Sequence, residues 1–518
     1  ELIRDLRKGW DPHWKDRGKK TADFGELRGL KTMPGVLLEM AFHDYAKDAR
    51  ALTSPVFRQL TARAVYKGIV RFFAKKNRQT PIFLPEPPTH LLAQNQKVGT
   101  VHLSWKAPVS GGVYGDRASE YRVYQSRTGK GFARGIYCRG TSVTIKDLEP
   151  GQTYFFQITA VNEGGESLPS PVIAVRLSQK NNQDKYLIVD GFDRLDRSMA
   201  ALEQEYKPYY APLGPVRRLR LEKMNNYDYA IPHARALAAC EVAFDGATNE
   251  TVRAGRVSLQ QYTGVDWFLG RESVADQTLD DQEQAILRKY LDNGGHLLIS
   301  GSELAFDLDH KGNGRSFFRN YLKAAYLGDD AQTDRFRSPR GGALAGVQGD
   351  FVSETYHAYP VYSPDYIRSI NGGINGLSYA GGKTAGVVYR GHYALAHFAF
   401  PLEMIAEETV RIELFRKSLA YFASKRKTKL KDANNSQVLT KVPDVFDDEI
   451  ELDLRRIPEG RAVFRLFDKR GEEVYYRYWS HRGFREKTLT IGGIPAAMYE
   501  YELELLGQKQ RGFVLKQE

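Results

Sequence analysis

At 518 residues the chain is too long for one hydrophobic core, since cores stop growing at about 250–300 residues, and three or four domains are expected. Hydrophobic residues at 42% and aromatics at 12%, mostly Tyr and Phe, exclude a disordered chain, and no apolar run of about eighteen residues is there to span a membrane. The net charge of +12 is concentrated at the start: residues 1–78 carry 18 Lys and Arg against 9 Asp and Glu, a basic bias that attracts nucleic acid, anionic lipid or an anionic cell-wall polymer alike.

The two cysteines, Cys138 and Cys240, fall in different segments, so no disulfide framework or zinc knuckle is expected. Glu1 opens the chain without a signal-peptide pattern, and the sequence reads as part of a longer protein.

In chain order, Met33–Phe42 is a short, nearly unbroken apolar run after a proline, which predicts a strand buried on both faces of an α/β sheet. Only Glu39 interrupts it. Ser54-Pro55 supplies an N-cap and a first-turn proline, and Phe57, Leu60, Ala64, Val65, Ile69, Phe72 and Phe73 recur at helical spacing, predicting an amphipathic helix to about Ala74. Pro81, Pro85, Pro87 and Pro88 then mark an extended linker. From there to Leu177 the pattern is one of short alternating strands (Val101–Trp105, Glu120–Tyr124, Ser142–Ile145, Thr153–Val161), the spacing of a β-sandwich.

After the polar stretch Ser178–Asp184, strands and helices alternate, which predicts a parallel sheet. Its strands are Tyr186–Phe192, Gln261–Gly270 and His296–Ser300, with a helix capped by Thr278 and bearing Ile286, Leu287, Tyr290 and Leu291 between the last two. Ala385–Tyr389 and Tyr393–Phe400 read as paired strands and Val410–Phe422 as a closing helix. A basic linker, Lys425–Lys431, leads to a last set of short strands between Ile450 and Leu515, another small sandwich. The expected fold class is multidomain α/β plus all-β, with domains at 1–78, 86–177, 184–427 and 436–518.

A carboxylate inside an apolar strand costs several kcal/mol unless it faces a cleft or a cation, so Glu39 is the first candidate for chemistry. A second set lies in the third domain: Asp190, Asp193, Ser302 and Glu303 sit at strand-to-loop turns, the edge at which open α/β sheets place ligands. Ser302 lacks a Gly-x-Ser-x-Gly elbow, and the carboxylates read equally as hydrogen-bonded loop residues. Asp307, Asp309, Asp329 and Asp330 fit calcium or plain solvated acid, and their spacing does not decide.

Four resemblances give these patterns names. Met33–Phe42, followed by Asp48-Ala49, Leu52 and the Ser54–Phe73 helix, resembles the closing strand and helix of zinc-dependent N-acetylmuramoyl-L-alanine amidases. That resemblance implies Glu39 as general base beside a zinc-bound water, peptidoglycan as partner, and zinc held by two histidines and a glutamate that lie before the matching segment. His13 and His43 match neither histidine, so the chain as written is expected to bind no catalytic zinc and to be inactive alone. Trp105, the Leu148–Tyr154 tyrosine corner and Ala160–Ser167 resemble a fibronectin type III domain, with Trp105 and Tyr154 as core and corner residues. Asp292–Glu303 and Phe400–Glu403 resemble class I glutamine amidotransferase-like, flavodoxin-like domains of bacterial surface proteins.

Finally, Val463–Val474, Tyr499–Leu503 and Val514–Lys516 resemble type IX secretion sorting domains, although the usual Pro-Asn-Pro opening is degraded to Val442-Pro443-Asp444-Val445-Phe446. Together they imply peptidoglycan remodelling outside the cytoplasm, by a protein that is secreted or on the cell surface. The alternative is a non-catalytic secreted polysaccharide-binding or adhesion protein. Neither reading calls on nucleic acid.

Overall fold

The computed structural model describes residues 1–518 other than 182, 206–213, 274–276, 352–358, 362, 425–441, 443–444, 454–459, 470, 482–485, 506–507 and 517–518. The chain divides into two compact units, Glu1–Ser424 and Lys425–Glu518. The expected basic linker Lys425–Lys431 lies outside the described residues.

The helix Pro55–Lys76 forms as expected: the Ser54 hydroxyl accepts from the Phe57 N–H, and Pro55 takes the first turn. Against it packs Leu2–Gly9, closing a small core of Leu6, Trp14, Ala51, Phe57 and Leu60. Lys67 is buried in this helix, and its Nζ meets Asp5 at 2.9 Å and donates to the Gly112 carbonyl of the following sandwich at 2.9 Å. The proline-rich stretch is a seam fastened to both neighbours. Phe83 is buried, its N–H donates to Asp116 at 2.8 Å, its carbonyl accepts from Asn162, and the Leu84 N–H reaches the Tyr66 hydroxyl at 3.0 Å.

The sandwich follows the expected strands, among them Thr100–Lys106, Glu120–Ser126, Ser142–Ile145 and Thr153–Asn162. Trp105 is buried edge-on to Tyr121 in its core, and the Tyr154 hydroxyl accepts from the Glu149 N–H at 3.1 Å, the corner bond read from sequence.

In the third segment, five strands run parallel in the spatial order Ala243–Thr248, Lys185–Asp190, Gly264–Phe268, His296–Ser300, Ala394–Phe398. Numbered by their place in the chain this is 2-1-3-4-5. Residues alternate across it: Ile188, Phe268 and Leu298 face one core with the helices Ala230–Ala239 and Glu408–Ala423, whereas Val189, Trp267 and Ile299 face another with the helix Asp281–Asp292. That last helix begins at Asp281 and is capped by Asp280 in a capping box with Glu283, not by Thr278 as expected, which stands two residues before the cap and donates its hydroxyl to Asp307 at 2.7 Å. Beyond the fifth strand an antiparallel arm continues through Thr384–Arg390, Ile374–Tyr379, Arg335–Arg337 and Gln348–Asp350.

The opposite edge strand, Ala243–Thr248, pairs antiparallel with the sandwich strand Thr89–Lys97 through Leu92↔Ala247 and Ala93↔Gly246. Gly246 permits this joint, since a Cβ there would stand 2.3 Å from the Ala174 carbonyl oxygen. Sandwich and α/β segment therefore share one hydrogen-bonded surface, and neither presents this edge to solvent.

The second unit consists of a five-stranded sheet, with Gln508–Lys516, Met498–Leu505 and Gly460–Phe467 side by side, and the pair Glu449–Asp453 with Glu486–Thr490. Both sheets contribute to one core that includes Ile450, Phe464, Leu489, Leu503 and Val514.

Candidate functional site

Glu39 does not occupy the environment expected of it. Residues 33–42 form no β-ladder, and Glu39 is exposed along with Met33 at 63% and Val36 at 74%. The expectation of a buried strand is thus corrected: among the described residues no strand lies beside this segment to pair with it, so its apolar run meets solvent and Glu39 lies in no buried strand. His13 and His43 are exposed as well. Among the described residues no group of three His, Cys, Asp or Glu could hold a metal ion. Among the described residues Glu39, His13 and His43 therefore belong to no such group.

The second candidate set is brought to one edge. In an order 2-1-3-4-5 the crevice opens between the carboxyl ends of the first and third strands, here Lys185–Asp190 and Gly264–Phe268. Asp190 closes the first strand half-buried, accepting from the Phe192 N–H at 3.0 Å, and burial, then the charges of Glu250, Asp193 and Glu403, push its carboxyl well above the usual range. Asp193 is exposed on the same loop. Gly270, after the third strand, has φ +51°, and a Cβ there would strike the Phe192 ring at 2.3 Å.

Ser302 is buried, and its hydroxyl donates to the Gly270 carbonyl at 3.3 Å, the bond of a structural residue. Glu303 is half-buried; burial first, and the charge of Asp329 next, raise it to about 7 against the opposing pull of Arg194 and Arg271. A carboxyl held there can take and return a proton near neutral pH. Asp307 and Asp309 are structural. The first accepts from Thr278 and Asn313, and the second from Arg319 and the Tyr326 N–H.

Sequence reasoning missed a buried ionic group beneath this edge. His233 on the helix Ala230–Ala239 stands between Asp266 of the third strand, Nδ1 to Oδ2 at 2.8 Å, and Glu403, Nε2 to Oε2 at 3.2 Å. Tyr359 donates to the other Glu403 oxygen at 2.6 Å. None of the four is more than 5% exposed. Burial alone would lower the imidazolium, but Asp266 and then Glu403 reverse that and hold it at about 9. The available signal was Asp266 itself, an acid inside the apolar run Val265-Asp266-Trp267-Phe268.

Residues 86–176 match the fibronectin type III domain family model, and that segment is a fibronectin type III domain. Over 62 residues the chain is 42% identical to a Bacillus anthracis protein named an uncharacterized cell wall amidase, a match covering 12% of this chain and 12% of that protein. The chain thus spans about an eighth of the length of that curated relative. Similar solved structures include titin domains A168–A170 (28% identical, 17% of this chain and 30% of that one, TM-score 0.16). The twitchin kinase region of C. elegans is 28% identical over 19% of this chain and 18% of its own, with a TM-score of 0.18. The FN5 domain of Drosophila Lar is 21% identical over 18% of this chain and 98% of its own, with a TM-score of 0.16.

Proposed function

We propose that this chain works at the bacterial cell wall as the wall-associating and positioning part of a peptidoglycan amidase. The observation that carries the reading is the 42% identity over 62 residues with a cell wall amidase. Two features support it. The positive excess of residues 1–78 includes Lys15, Arg17, Lys19, Lys20, Lys75 and Lys76, all exposed, and wall peptides carry carboxylates that such a surface attracts. The fibronectin type III domain is bonded on both sides, which makes it a rigid spacer. The exposure of Glu39 supports assigning attachment rather than hydrolysis to these residues, with zinc ligands and amide cleavage supplied from beyond them. The strand order 2-1-3-4-5 supports the flavodoxin-like reading of residues 184–427, and export to the surface agrees with a wall substrate.

Cosedimentation of the full chain with purified peptidoglycan tests the proposal. Binding is expected, and Lys15→Glu, Arg17→Glu, Lys19→Glu and Lys20→Glu together are expected to weaken it. Failure to sediment, indifference to the four changes, or chelator-sensitive amide cleavage by the chain alone would each refute it.

A further inference from the structure

On the antiparallel arm of the α/β segment, Gln348, Arg337 and Ser378 stand opposite one another on three adjacent strands, through the pairs Arg337↔Gln348 and Arg337↔Ser378. Directly opposed residues share a face, so the three make one polar row across the sheet. The other face is apolar: Phe336 and Tyr379, also paired, are at most 2% exposed. Asn375 lies three residues before Ser378 and in a regular strand would point to the opposite face. It does not, because the register slips between Asn375 and Leu377 and again between Leu377 and Ser378, and the Asn375 amide donates to the Ser378 hydroxyl at 2.9 Å. Bulges of this kind re-aim side chains next to binding sites.

These residues, with Ser338 and Arg340, line a half-open groove of about 660 Å³, within the range of small-ligand sites. No carboxylate lines it. Among the described residues neither Arg337 nor Arg340 has an ion-pair partner, although Arg335, one step along the same strand face, is matched by Asp350 at 3.6 Å. The Asn375 side-chain oxygen, Oδ1, is buried and accepts no hydrogen bond among the described residues.

From this we infer that the groove is a binding site for an acidic glycan. Two guanidiniums present forked donors that suit a carboxylate, and an amide oxygen without a donor suits a hydroxyl. A sugar acid carries both groups on one ring. The groove is remote in sequence from the basic first 78 residues.

Affinity electrophoresis of the full chain through polygalacturonate, at physiological ionic strength, tests it. Retardation is expected with the acid polymer and not with its methyl ester. Arg337→Gln with Arg340→Gln is expected to weaken binding at least about tenfold, the scale of losing charge-assisted hydrogen bonds, and Asn375→Ala to weaken it less. Both arginines are exposed, and an unchanged melting temperature in the double variant shows that the fold is kept. The inference fails if the double variant is retarded like the parent, as attraction by the basic first segment would produce. It fails equally if the ester binds as well as the acid, if the parent is not retarded, or if poly-L-glutamate competes as well as the glycan.

Discussion

Asn95 of the fibronectin type III domain and Asp245 of the α/β sheet are joined twice: the backbone N–H and the side-chain amide of Asn95 both donate to one Asp245 oxygen at 2.8 Å. The other oxygen takes the Lys185 ammonium at 2.8 Å and the Tyr262 hydroxyl at 2.9 Å. Asp245 is fully buried. It therefore binds the seam between two modules and the first strand of the parallel sheet at a single carboxylate.

Replacing Asp245 with Ala strands a half-buried cation and three donors, a loss of up to roughly 3–5 kcal/mol by analogy with broken buried pairs. In urea denaturation the sandwich and the α/β segment of Asp245→Ala are expected to lose stability together, because they share the ladder that the carboxylate fastens. Separate transitions in the parent protein, with only one moved by the substitution, would contradict a common unit.

His233 makes a pH-dependent contribution of definite sign. Its folded pKa, about 9, lies above the ordinary value near 6.5, so the stability that it supplies is complete below 6.5 and is lost as pH rises through 9. His233→Gln removes the cation and leaves Asp266 and Glu403 buried together. The variant is expected to melt lower than the parent at pH 6, with the gap narrowing toward pH 10. A gap that stays constant over this range would mean that His233 is neutral when folded.

Comparison of Glu39 with Asp266 shows where the sequence is legible. Each is an acid inside an apolar run, and either charge needs a partner once it is buried. Asp266 has its partners because a helix 33 residues earlier and a 3-10 turn 137 later deliver His233 and Glu403 to it; Glu39 has none because among the described residues no sheet surrounds that segment. Period and turn chemistry are local, so the parallel strands, the Pro55–Lys76 helix and the Tyr154 corner can all be read from neighbouring residues. The edge placement of Asp190, Ser302 and Glu303 follows from strand ends alone. The His233 partners, the two-sided joint at Gly246 and the register slips around Leu377 depend on contacts between distant segments, and no local pattern announces them.

Glu303 is the half-buried carboxyl at the sheet edge whose protonation changes near pH 7. Because its folded pKa is raised, the protonated form is favoured in the fold, and stability is lost as pH rises from about 4.5 through 7. Glu303→Gln keeps the neutral shape at every pH. It is expected to match the parent in thermal melts at pH 4.5 and to exceed it at pH 8. Equal melting temperatures at pH 8 would place the Glu303 charge in an environment that costs it nothing.

The same comparison at Glu39 should give a null result for a physical reason. An exposed side chain with no hydrogen-bonded or ionic partner among the described residues has no interaction to lose, and surface changes of this kind stay within about 0.5 kcal/mol. Glu39→Gln is therefore expected to leave both the melting temperature and peptidoglycan cosedimentation of this chain unchanged. If the same substitution, made in a longer protein that carries the metal ligands, abolished amide cleavage while leaving wall binding intact, attachment and catalysis would be assigned to different surfaces. Loss of binding in this chain on its own would instead place Glu39 within the attachment surface.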